Sequence, residues 1–422
     1  MSLSNFKLKE VLNTAVVVAA LGYFVDVYDL VLFLIVGVPS LKDLGIDTAN
    51  MIPDFQYLLN LQMIGMLVGG LFWGILGDRK GRLSVLFGSI ITYSIANVAN
   101  GFVSEIANLA HTPVLGTYAA LRFIAGFGLA GELGAGVTLV SESMSKETRG
   151  YGTMLIASIG VIGAVVAALV GKIGWQASYF IGGGLGFSLL LLRIGVFESG
   201  LYNTMHSKEV KQGNFFFLFA TRERALRYIN SILIGLPIWF IIGVLIGRAP
   251  EIAEVLHARG KLDRGLCIMF CYGGLVFGDL GSGLLSQVLK SRKRAFLIFY
   301  ALVVFFVLVY LNMKGGTPAM FYTIIACLGF SVGYWAIFVA GASEQFGTNL
   351  RSTVTTTVPN FVRGSLVLVA LLFDYIQDLY NGYDDKIITA GLAVTLIVVT
   401  IAAISLSGLK ETFGKDLDYL EK

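Results

Sequence analysis

Residues 20–35 read ALGYFVDVYDLVLFLI, two aspartates in a run that is otherwise apolar or aromatic. Asp26 and Asp29 are three apart, which on a helix sets both carboxylates on one face with Tyr23 a turn away. An ionisable group at bilayer depth costs at least about 2.5–3.5 kcal/mol, so a span that keeps two of them gives them partners or work. The rest of the chain says that this is a membrane span. Of 422 residues, 56% are hydrophobic and 14% charged, against about 25% charged in a soluble domain. Mean hydropathy is +0.78. The fold class that follows is an all-α polytopic membrane protein. His111, His206 and His257 are scattered without metal-ligand spacing, so no metal site is expected. Cys267, Cys271 and Cys327 fall inside apolar runs and do not read as a disulfide framework.

A membrane helix needs about 20 mostly apolar residues. Twelve stretches qualify, near 11–38, 55–76, 83–104, 113–140, 150–171, 174–197, 228–248, 264–288, 295–313, 318–342, 353–377 and 386–408. The widest polar interruption, 198–227, divides them six and six. The expected domains are a bundle at 1–198, a linker at 199–227, a second bundle at 228–408 and a tail at 409–422. Basic residues crowd the loops on one side: Arg79, Lys80 and Arg82; Lys146 and Arg149; Lys208 to Arg227; Lys290 to Arg294; Arg351; Lys410 and Lys415. By the positive-inside rule that side, with both termini, faces the cytoplasm, and the location is the cell (inner) membrane.

The halves repeat each other. SESMSKETRGYGT (141–153) and SEQFGTNLRSTVT (343–355) place Ser, Glu, Arg and Thr at identical spacing. A weaker echo relates GILGDRKGR (74–82) to GLLSQVLKSRKR (283–294). A duplicated six-helix unit puts a binding site where the two copies meet, near the bilayer midplane.

Gly74-x-x-x-Asp78-Arg79-x-Gly81-Arg82 resembles the signature loop of the major facilitator superfamily, and Arg122-x-x-x-Gly126-x-Gly128 resembles its second motif. VDVYDL in helix one and Gly131-Glu132-x-Gly134 before Ser141-Glu142 are similar to metabolite:proton symporters. The ETFGKDLDYLE tail (411–421) resembles the ending of sugar porters. The resemblance implies two six-helix bundles that rock about a central site. Two departures stand out. Gln287 replaces an acid in the second-half loop, and the Tyr-Pro and helix-seven aspartate of phosphate symporters are missing.

The deep charges are the candidate machinery. Asp26 and Asp29 sit about 20 Å into helix one. Arg122 of helix four is expected at a similar depth, paired with one of them. Two neighbouring acids cannot both ionise cheaply in low dielectric, which suits one to carry a proton. Glu132 is a rival for that task. A permanently ionised structural pair is the bland alternative. Arg363, midway along helix eleven, suits a substrate carboxylate or else pairs with Asp279 of helix eight. Tyr23, Gln62, Trp239, Tyr334, Trp335 and Asn360 are candidate cavity residues, although each is more often packing. Asp78, Arg79, Arg82, Glu142, Arg149 and Glu198 in one half, with Glu344, Arg351 and Glu411 in the other, are the candidate cytoplasmic gate.

The reading is a proton-coupled secondary transporter, an importer of a small organic anion or polar metabolite, working by alternating access. It acts as a monomer in the lipid bilayer, with a small solute and the proton as partners, no nucleic acid and no cofactor. Within transport, the alternatives are a sugar porter, a phosphate symporter, a drug or lipid exporter and an uncoupled facilitator. A metabolite-sensing receptor would carry a cytosolic signalling domain, for which the stretch after Gly408 is too short. No His-Glu-x-x-His string is present, and the deep serines, Ser331 of Gly329-x-Ser331-x-Gly333 among them, have no histidine near them in the sequence, so an enzyme is not expected.

Overall fold

The computed structural model describes residues 14–46, 51–143, 149–198, 215–383, 385–414 and 421. Among the described residues there is no strand, and 12 helices are long and apolar enough to cross a membrane. Helices one to six run Thr14–Asp43, Met51–Lys80, Arg82–Gly101, Val114–Ser143, Arg149–Val170 and Trp175–Glu198. Helices seven to twelve run Arg222–Ile246, Arg264–Leu289, Arg292–Leu311, Pro318–Glu344, Thr348–Leu379 and Lys386–Ser407. Helix seven starts at Arg222, inside the stretch read as linker, because Thr221 caps it by accepting the Arg224 N–H. The linker residues 199–214 lie outside the described residues.

Within the first half, helix one packs on five, two on four and three on six; in the second half, eight packs on ten. Small residues make these seams. Gly65 and Gly69 of helix two lie against the backbone of Phe123 and Phe127, and Gly274 and Gly278 of helix eight lie against Ala326 and Phe330. Without a hydrophobic drive between helices in lipid, such close backbone contact is what binds them. Two further seams, helix two on eleven and helix five on eight, join the halves. Large apolar side chains face outward, Phe277 at 68% and Leu396 at 69% exposure, as a lipid solvent demands.

Three spans are irregular. Helix four stops at Leu129 and resumes at Glu132; helix ten stops at Val332 and resumes at Trp335. The spacing that relates Ser141 to Ser343 also relates Gly131 to Gly333, so the repeat extends to these breaks. Helix seven is interrupted at Gly235, just before Pro237, and then widens into a π-helical turn at Phe240–Ile246. Pro359, by contrast, lies inside a continuous helix. Non-regular backbone at this depth is tolerated where it is buried in protein or lines a cavity.

The halves touch near both faces. On the face that carries the basic loops, Met154 meets Gly283 and the Thr356 backbone meets Gly134. On the far face, the Arg264 guanidinium lies 5.9 Å from the centre of the Phe55 ring.

Candidate functional site

Helix one does not hold its two acids together. Residues three apart on a helix differ by roughly 60° in direction, and here that divergence separates Asp26 from Asp29. Asp26 faces the second half: its Oδ2 lies 3.3 Å from Nη2 of Arg363 in helix eleven. The pair is sealed, with side-chain exposures of 0% and 1%. Arg363 also donates to Asn360 Oδ1 at 3.4 Å and stacks 5.5 Å over the Trp335 ring. The sequence reading paired Asp26 or Asp29 with Arg122, and offered Arg363 a substrate or Asp279. Both pairings are corrected: the ion pair of the site is Asp26 with Arg363.

Asp29 turns into the first half, where Gly182 of helix six gives it room. Arg122 is fully buried too, but no ion pair within 4 Å joins it to Asp29 among the described residues. Its guanidinium instead covers Phe33 at 4.9 Å and Tyr179 at 5.5 Å, and donates to the Tyr179 hydroxyl at 3.5 Å. Tyr179 bonds Tyr118 at 2.7 Å, and Tyr118 bonds Ser40 at 3.0 Å. Sequence reasoning missed these hydroxyls, which look like ordinary packing residues.

Glu132, at the restart of helix four, is paired with Arg193 of helix six. Arg193 Nη1 bonds Glu132 Oε2 at 3.1 Å, while Nη2 bonds Oε1. Gly22 lies directly over the pair; a β-carbon there would strike both groups. Both carboxylate oxygens of Glu132 are thus engaged by Arg193. Arg193 was overlooked, although a lone arginine in the run LLLLRIG was a usable signal.

A cavity of about 20 Å³ opens between the halves, with Tyr23, Trp239, Tyr272, Trp335 and Arg363 in its wall. That is room for water and not for an organic solute. Four of these five were named from sequence; Tyr272 was missed. The other candidates lie elsewhere. Gln62 donates to the Leu30 carbonyl at 3.4 Å, and Asn360 donates to the Ala130 carbonyl at 2.8 Å. Tyr334 packs among Phe296, Phe299 and Tyr300. Asp279 accepts the Ala336 N–H at 3.0 Å, capping the restart of helix ten.

At the basic face, the side chains of Asp78, Arg82, Glu142, Arg149 and Glu198 lie outside the described residues. Arg79 is exposed and Arg351 buried. Glu344 pairs with Arg292 at 3.0 Å, inside the second half rather than across the halves. Glu411 accepts from the Ser291 hydroxyl and the N–H groups of Arg292 and Lys293, which fastens the tail to the start of helix nine. Burial pushes the Glu411 carboxyl up, but those donors and the Phe413 N–H outweigh it and hold it below the usual glutamate range. On the far face, half-exposed Asp374 takes two bonds from Arg248, at 2.6 and 3.1 Å.

Comparison with known proteins places this geometry. The family model described as Major Facilitator Superfamily matches residues 19–371. A putative niacin/nicotinamide transporter, NiaP of Bacillus subtilis, is 25% identical over 419 residues, 95% of this chain and 96% of that protein. The niacin transporter NiaP of Acinetobacter baylyi is 33% identical over 171 residues, 39% of this chain and 36% of that protein. Inorganic phosphate transporter 1-2 of rice, Oryza sativa subsp. japonica, is 31% identical over 176 residues, 39% of this chain and 32% of that protein. Among solved structures, the proton:xylose symporter XylE superposes with a TM-score of 0.74 at 15% identity, covering 97% of this chain and 98% of that one. With twelve spans, matching breaks in the two halves and a family model over most of its length, the chain belongs to the Major Facilitator Superfamily and is a membrane transporter.

Proposed function

We propose that the protein is a proton-coupled symporter that imports a small monocarboxylate, with niacin as the first solute to test. The observation that carries this reading is the sealed Asp26–Arg363 pair between the halves. Its charge arithmetic is specific. Empty, the site is neutral. A proton on Asp26 alone leaves the Arg363 cation uncompensated, and a bound anion alone leaves one negative charge in excess. With both loaded, the solute carboxylate takes the place of Asp26 on Arg363, and the site is neutral again.

An uncompensated buried charge costs several kcal/mol. The site therefore closes readily when empty or fully loaded, and poorly in between, which is the condition for one-to-one coupling. Arginine suits the task because its planar fork grips a carboxylate through two parallel hydrogen bonds. The basic loops assign the inner face to the cytoplasm, so a proton gradient directed inward drives uptake. Niacin is the acid named for the two bacterial relatives, and as nicotinate it carries a single negative charge. Phosphate fits less well, since Arg363 is the cation in the cavity wall and the rest of that wall is mainly aromatic and aliphatic.

The test is uptake of labelled nicotinate into proteoliposomes with and without an imposed pH gradient. Asp26→Asn fixes the acid in its neutral form. It should abolish accumulation against a gradient while retaining exchange of internal for external solute. Uphill accumulation by Asp26→Asn would sink the coupling assignment.

A further inference from the structure

We propose that Trp239 and Trp335 set the specificity of the cavity, their indole N–H groups being offered to a ring acceptor on a flat aromatic monocarboxylate held by Arg363. This rests on the monocarboxylate reading above and says which monocarboxylates fit. Both tryptophans are in the cavity wall, at 3% and 4% exposure, and neither indole N–H has a hydrogen-bond partner. The indole N–H is a donor only, and buried donors are nearly always paired. Phenylalanine would fill the same wall without leaving a donor unspent.

The backbone also treats the two residues alike. Trp239 is the last residue before the π-helical turn of helix seven, and Trp335 is the first residue after the break in helix ten. These irregular turns present side chains from two helices of the second half to one cavity. The Arg363 nitrogen Nε is likewise without a partner, and its guanidinium lies over the Trp335 ring. A carboxylate on Arg363 is thus set beside an aromatic face, where a flat ring attached to it can stack. An aliphatic acid forgoes the stacking; benzoate stacks but offers the donors no ring acceptor. A pyridine carboxylate supplies carboxylate, flat ring and acceptor together.

The experiment is calorimetric titration of the purified full-length protein with nicotinate, benzoate and cyclohexanecarboxylate. The wild-type protein should bind nicotinate about tenfold more tightly than benzoate, the scale of one buried donor left unpaired. Trp239→Phe and Trp335→Phe keep a ring and remove the donor. At least one should bring that ratio towards one by weakening nicotinate alone. Equal wild-type affinity for nicotinate and benzoate overturns the proposal without needing any variant. So does an unchanged ratio in both variants. Binding of none of the three acids would instead remove the monocarboxylate reading beneath it.

Discussion

Helices four and ten break at equivalent places and repair the damage differently. In helix four, the orphaned Ala130 carbonyl takes its hydrogen bond from Asn360, a side chain of the opposite half. In helix ten, the freed Ala336 N–H goes to Asp279 of helix eight, in the same half. The next positions diverge as well. Glu132 needs Arg193 to neutralise it, whereas its counterpart Tyr334 sits in an aromatic nest. The pattern continues outward. Asp26 of the first half also borrows its partner, Arg363, from the second. Other pairs stay within one half: Arg193 with Glu132 in the first, and Arg292 with Glu344, Arg248 with Asp374 and Glu411 on helix nine in the second. Asn360 and Arg363, both on helix eleven, reach across the seam to the first half. Separating the halves there would part both of these contacts.

The sharpest way to break this contrast is to exchange chemistry at positions 132 and 334. Glu132→Leu strands the Arg193 charge in a buried site and should cost about 3–5 kcal/mol, seen as a large fall in melting temperature. Tyr334→Phe removes a hydroxyl that has no partner, and should be neutral or stabilising. Equal losses at the two sites would contradict the assignment.

A smaller effect separates Asn360 from Asp279. Asn360→Ala should cost about 1–3 kcal/mol, the penalty for an unpaired buried carbonyl. Because that bond crosses the seam, the loss should favour opening. Labelling of Met154→Cys, where the smaller side chain fits against Gly283 at the same seam, by a membrane-impermeant reagent should rise several-fold. Asp279→Asn keeps an oxygen acceptor for Ala336 and should lower melting temperature slightly, leaving the labelling rate alone.

The smallest effect lies at the tail. The folded Glu411 carboxyl is held below the usual glutamate value, so its stabilisation is present above about pH 4.3 and is lost as pH falls through the folded value. Melting temperature should decline over that acid window in the wild type, and less steeply in Glu411→Gln. Identical acid profiles would remove Glu411 from the list of internal fastenings.

Much of this architecture was legible in the sequence, because a bilayer imposes a length and a polarity that any span must show. The repeat was legible too, through Glu142 and Arg149 against Glu344 and Arg351. The breaks were not. LAGEL and VGYWA carry no proline, so nothing local announces that the helix stops there. The key pairing was hidden for a different reason. Asp26 and Arg363 are 337 residues apart in the chain and on opposite sides of the repeat. Depth alone offers Asp26 both Arg122 and Arg363; only the direction of each side chain decides. Arg193 escaped because its partner, Glu132, is 61 residues away in the chain and on another helix.

The wide turn at Phe240–Ile246 gives helix seven one residue more per turn than its neighbours. Tightening it to ordinary α-helical pitch would swing whatever lies on one side of it by roughly a quarter-turn. Trp239 stands at that boundary. A change of pitch in this turn would therefore carry one side chain of the cavity wall with it.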